Sequence, residues 1–217
     1  MIQLYHLTKV YPGGKVALDD ISFKVAKGEF IFIAGPSGAG KTTLVKLIMC
    51  EEKATRGQIL VDRLNLQRIH PNKIPYLRRK IGVVFQDFKL ISTRTVFQNV
   101  ALRLEAQGER RTLINKKVRV ILKNVGLDGL GEAHPPQLSG GEQQRVAIAR
   151  AMVGDPLILL ADEPTGNLDI DLSRNILELL LQINKGGTTV LMATHNQGIL
   201  QETNQRIIRL DRGRLVA

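Results

Sequence analysis

Gly35-Pro36-Ser37-Gly38-Ala39-Gly40-Lys41-Thr42 is the stretch from which the rest of this chain can be read. It fits G-x-x-x-x-G-K-[ST], a loop that cradles phosphate. The apolar run over residues 30–34 predicts a buried strand before it, and residues 43–49 predict a helix after it. The glycines let the backbone turn tightly and approach a ligand. Loop amides then meet the positive end of the helix dipole. Lys41 supplies a full charge for β- and γ-phosphates, and the Thr42 hydroxyl suits Mg²⁺. Gly35 through Thr43 are therefore the expected triphosphate-binding residues.

Two further stretches speak to the same chemistry. Residues 157–161 predict a central parallel strand ending in Asp162-Glu163-Pro164. Asp162 there suits Mg²⁺, and Glu163 suits a general base for an attacking water. In Leu138-Ser139-Gly140-Gly141-Glu142, Ser139 and Glu142 form a capping box. A capped helix does not need two glycines in its first turn, each disfavouring helix by about 1 kcal/mol. Gly140 and Gly141 imply a close approach to the backbone, and a helix start of this kind is a second anion site. The chain thus carries two such helix starts and one Lys-bearing loop.

Around these, the chain alternates strands and helices. Strands are expected at 2–10, 21–25, 58–61, 80–85 and 188–194, with a closing hairpin at 206–216. Pro71 and Pro75 predict loop. From residue 95 the pattern turns helical, with helices at 96–107 and 111–125, and a further helix at 171–184. The expectation is an α/β chain, a single domain over 1–217. Residues 1–88 and 157–217 form a P-loop core with an N-terminal antiparallel β layer, and 89–156 an inserted helical subdomain. Gln86 ends a core strand, where doubly wound sheets bind ligands, and suits metal or water. His195 stands at the end of another such strand, within reach of a γ-phosphate. His6, His70 and His134 read as surface. Tyr11 reads as an exposed turn aromatic whose ring would suit a purine face.

Composition narrows the class. No apolar run reaches membrane-span length. The N-terminal residues lack a signal-peptide pattern and Cys50 is the single cysteine, so a cytoplasmic chain is expected. The net charge of +11 admits nucleic acid, an anionic membrane or an acidic protein as partner. Aromatics at 4% with no Trp give little for base stacking, so no nucleic acid is expected.

Assembled, these residues resemble an ATP-binding cassette (ABC) ATPase over nearly the whole chain, and the Ser-Gly-Gly-Glu stretch is specific to that family. The resemblance implies the remaining roles. Tyr11 would stack on adenine. Lys41, Gln86, Glu163 and His195 would be catalytic, with Gln86 coupling to a membrane partner, and Thr42, Gln86 and Asp162 would hold Mg²⁺. Asn167 to Asp169 would cross between protomers. Two chains would pack head to tail on ATP, so that Ser139, Gly140, Gly141 and Glu142 of one complete the site of the other. Residues 76–87, 94–96, 99–101 and 193–196 resemble the branch acting in bacterial cell division with an integral membrane partner, on the inner face of the membrane. Ser92-Thr93 departs from that branch's frequent Pro-Asp. ATPases of lipoprotein-release and macrolide exporters share most motifs and are the alternative. A nucleic-acid-associated cassette and a non-catalytic adaptor are the rivals from other classes.

Overall fold

The computed structural model describes residues 1–216. Its centre is a six-stranded sheet in the order β10-β9-β3-β8-β7-β6. These strands are β3 (Phe30–Ala34), β6 (Ile81–Phe85), β7 (Ile158–Asp162), β8 (Thr189–Thr194), β9 (Arg206–Asp211) and β10 (Arg214–Val216). All neighbours pair in parallel except β10, which turns back antiparallel on β9. Every residue of β3, β7 and β8 is buried. Strands covered on both faces read as unbroken apolar runs, which is why the sequence marks them so clearly.

Alternate residues of these strands feed two cores. Phe30, Phe32, Leu159, Ala161, Val190 and Met192 face a helical layer. That layer holds α3 (Val96–Glu105), α4 (Arg111–Asn124), α5 (Gly140–Met152), α6 (Ile170–Lys185) and α7 (Gln197–Gln201). Ile31, Ile33, Ile158, Leu160, Leu191 and Ala193 face the opposite side. There they meet α1 (Lys41–Ile48) and a four-stranded antiparallel sheet. The order of that second sheet is β2-β1-β4-β5, from β1 (Ile2–Val10), β2 (Val16–Val25), β4 (Arg56–Val61) and β5 (Leu64–Asn65). Residues 89–156 contribute α3, α4 and α5 and no strand.

Three local expectations are corrected. Pro71 and Pro75 do not leave loop: a 3₁₀ turn at Pro71–Lys73 leads into α2 (Ile74–Arg79). Pro75 falls in the first turn of α2, where no intrahelical N–H is lost. The second strand begins at Val16, well before residue 21. Asp20, at φ +51°, breaks the alternation that would have shown it. The short α7, capped by Asn196, was not marked by the sequence.

Gly57, at φ +84°, sits where an added Cβ would lie 2.2 Å from the His6 carbonyl oxygen and 2.5 Å from that of Tyr5. Both obstacles are backbone. Gly57→Ala is expected to lower unfolding free energy by more than about 1 kcal/mol in a urea titration.

Candidate active site

The phosphate loop runs from the end of β3 into α1. Gly40 caps the helix at φ +106°, and a Cβ there would lie 2.4 Å from the Ala17 carbonyl oxygen. No side chain caps α1 and its first turn holds no acid. Its amides are therefore free of protein acceptors that would compete with a ligand. Ala39 is buried beneath the loop, while Pro36, Ser37, Gly38 and Thr42 are exposed.

Lys41 is nearly buried, at 5% exposure. Its Nζ donates to the carbonyl oxygens of Gly35 at 2.7 Å and Pro36 at 3.0 Å. It also stands 3.1 Å from Oε1 of Glu163. The other Glu163 oxygen, Oε2, lies 2.8 Å from Nδ1 of His195 and accepts the His195 amide at 3.3 Å. With its proton on Nδ1, the imidazole donates to the carboxylate. The Glu163 backbone is in the left-handed region at φ +52°, its amide bonded to the Ala193 carbonyl. A non-glycine residue held there is the strained backbone that clusters at functional sites.

These groups open on a cavity of about 530 Å³, a volume suited to a small ligand. Tyr11, Ser37, Gly38, Gly40, Lys41, Thr42, Thr43, Gln86, Glu163 and His195 all line it. Lys15, Val16 and Ala17 line it as well. Those three were missed because nothing local marks them; the pairing of β2 with β1 brings them there. Tyr11 is half-buried rather than exposed. Lys9 Nζ lies 4.7 Å from the centre of its ring, and its hydroxyl is 3.5 Å from that of Thr43. Gly35 and Pro36 line an adjoining cavity with His195.

Gln86 is tied to the turn after β7: its Nε2 donates to Asn167 Oδ1 at 3.3 Å, and Asn167 Nδ2 returns a bond to the Gln86 carbonyl at 3.0 Å. Asn99, fully buried, gathers the loop that follows by bonding Ile91, Arg94 and Thr95 backbone. Asp162 is 7% exposed, and its Oδ1 has no hydrogen-bond partner among the described residues. Burial pushes its carboxyl above the usual range, partly offset by a hydrogen bond from the Thr42 hydroxyl. An orphaned carboxylate oxygen beside a hydroxyl is a fitting donor set for Mg²⁺, which takes one or two protein oxygens and fills its shell with phosphate and water.

Ser139, Gly140, Gly141 and Glu142 do not line this cavity. They form the start of α5, where Ser139 Oγ caps the Glu142 amide and Glu142 Oε2 accepts from both Ser139 N and Oγ, at 2.8 and 2.7 Å. Those bonds hold the Glu142 carboxyl below its usual range. The close approach that the glycines imply is made by the chain itself. A Cβ on Gly140 would lie 3.3 Å from Leu168, and one on Gly141 3.0 Å from Leu172. Ser139 remains exposed and Gly140 half-buried, while Gly141 is buried.

The stretch that builds most of this cavity, residues 18–166, matches the model of the ABC transporter family, and the chain belongs to that family. It is an ATPase of the cassette type, converting ATP to ADP and phosphate. Over its full length it is 51% identical to the cell division ATP-binding protein FtsE of Mycobacterium tuberculosis, covering 94% of that protein. It is 46% identical over 99% of its length to FtsE of Escherichia coli, covering 97% of that protein. Among solved structures it resembles the ATP-binding cassette MJ0796 in a dimeric post-hydrolysis state bound to ADP and Pi. That match has a TM-score of 0.90 and 37% identity, covering 100% of this chain and 97% of that one.

The raised Asp162 carboxyl has a consequence for stability. The folded chain binds a proton there more readily than the unfolded chain, whose aspartates titrate near about 3.9. Ionised Asp162 therefore costs stability as pH rises above that value. Asp162→Asn is expected to raise the melting temperature of nucleotide-free protein near neutral pH, with the gain shrinking as pH falls towards the unfolded value. Scanning calorimetry across that range checks the sign.

Proposed function

We propose that this chain is the ATP-driven subunit of a bacterial cell-division complex, acting on an integral membrane partner of the FtsX type at the inner face of the membrane. The full-length identity to FtsE proteins supports that reading. The observation that carries its mechanism is the separation of the two helix starts: α1 lies on the cavity, uncapped, and the start of α5 lies off it. Two copies packed head to tail would bring Ser139, Gly140 and Gly141 of one to the triphosphate held by Lys41 of the other. The dimeric MJ0796 structures support pairing of two such cassettes.

In this reading residues 1–88 and 157–217 form the nucleotide-binding core, and 89–156 the helical lobe that carries the start of α5. Tyr11 packs against the base, and the loop from Gly35 to Thr43 binds phosphates. Thr42, Asp162 and Gln86 would hold Mg²⁺, which would neutralise phosphate charge when bound. Glu163 takes the proton of the attacking water, His195 orients Glu163 and the γ-phosphate, and Lys41 offsets the developing charge. For this to begin, Lys41 exchanges Glu163 and the loop carbonyls for phosphate oxygens. Gln86, linked to Asn167, passes the state of the site to the membrane partner.

Glu163→Gln is expected to bind ATP, to lose turnover by at least about 100-fold, and to sediment as a dimer with saturating MgATP. A variant that binds ATP yet stays monomeric in analytical ultracentrifugation would overturn the head-to-tail mechanism.

A further inference from the structure

The positive charge of this protein is not evenly spread. Residues 63–80 contain Arg63, Arg68, Lys73, Arg78, Arg79 and Lys80 and no Asp or Glu. Eighteen residues thus carry six of the eleven net charges. Only Lys80 of the six meets a carboxylate among the described residues, that of Asp62 at 2.7 Å. Arg63, Arg68, Lys73 and Arg79 are exposed with no acidic partner among the described residues.

The surface that presents them is fixed. Leu77 is fully buried beneath α2. The Arg78 guanidinium donates to the Met49 and Cys50 carbonyls at the end of α1, at 3.0 and 3.2 Å. The Lys80–Asp62 pair ties the end of α2 to the β4–β5 turn, where Arg63 and Leu64 follow Asp62 in sequence. Two large apolar side chains are exposed along this stretch, Tyr76 of α2 at 58% and Leu64 of β5 at 37%. Lys73 Nζ and Arg79 lie 5.7 and 5.2 Å from the centre of the Tyr76 ring.

We infer that this face, formed by α2 and the β4–β5 turn, binds an anionic phospholipid surface directly. Clustered Lys and Arg recognise anionic headgroups, and an exposed Tyr sits at the headgroup level, apolar inward and hydroxyl outward. The same geometry disfavours nucleic acid, because the one aromatic on the face is already engaged by its own cations and has little ring to offer a base. The inference goes beyond the proposed function and needs no membrane protein: the lipid itself is the partner.

The test uses the purified, nucleotide-free chain and sedimentation with vesicles of mixed phosphatidylglycerol and phosphatidylcholine, or of phosphatidylcholine alone. Binding is expected to the anionic vesicles only and to weaken as salt shortens the screening length. Arg68→Ala/Lys73→Ala/Arg79→Ala is expected to weaken it by about a hundredfold. Arg110→Ala/Arg111→Ala/Lys116→Ala removes the same charge from the start of α4 and the residue before it, and is expected to leave binding within about threefold. Arg78 is left in place because it holds α2 to α1. The melting temperature and basal ATPase rate of both variants are expected to match the parent. Equal loss in the two variants, equal binding to neutral vesicles, or a patch variant that keeps vesicle binding while losing DNA or an acidic peptide would each overturn the inference.

Discussion

The Nζ of Lys41 is enclosed by two loop carbonyls and the Glu163 carboxylate, at 2.7, 3.0 and 3.1 Å. An ammonium so far from solvent needs an anion beside it, since an uncompensated buried charge costs several kcal/mol. Glu163 fills that role here, and in the proposed function phosphate fills it in turn. The parallel sheet brings these groups together. It delivers Gln86, Glu163 and His195 from the C-terminal ends of three strands to one cavity, and the phosphate loop starts at the end of a fourth.

Glu163 to Leu172 is the segment that this arrangement leans on. Glu163 meets Lys41 and His195; the Pro164 carbonyl accepts from fully buried Gln144 of α5 at 2.6 Å. Asn167 clasps Gln86, and Leu168 and Leu172 press on Gly140 and Gly141. Arg150, farther along α5, bonds the Phe88 carbonyl just past Gln86 at 2.7 Å. Ten residues therefore join the glutamate, the loop after β6 and the start of α5 through packed, hydrogen-bonded contacts.

What the sequence revealed follows from how local each signal is. Phe30–Ala34 and Ile158–Asp162 were legible because strands buried on both faces must be apolar throughout. The loop at Gly35 to Thr42 and the Ser139–Glu142 box were legible because their chemistry is written in adjacent residues. Pro75 misled because a helix breaker in the interior is harmless in a first turn. Lys15, Val16 and Ala17 were invisible because they carry no motif of their own and reach the cavity only through the β1–β2 hairpin, which folds them back beside Tyr11. The two glycines of α5 were read as room for an incoming group, and within the chain Leu168 and Leu172 lie against them.

One contrast between helices reaches further. α3, α5 and α6 each begin with a side-chain oxygen accepting a backbone amide, from Thr95, Ser139 and Asp169. α1 begins with none. A side-chain oxygen likewise caps α7, while α2 and α4 have no side-chain cap but, unlike α1, do not open on the cavity; in the proposed function α1 is the helix completed by a molecule the polypeptide does not encode. Nucleotide is then as much a missing piece of architecture as a fuel, and occupancy of the loop and resistance to heat rise together.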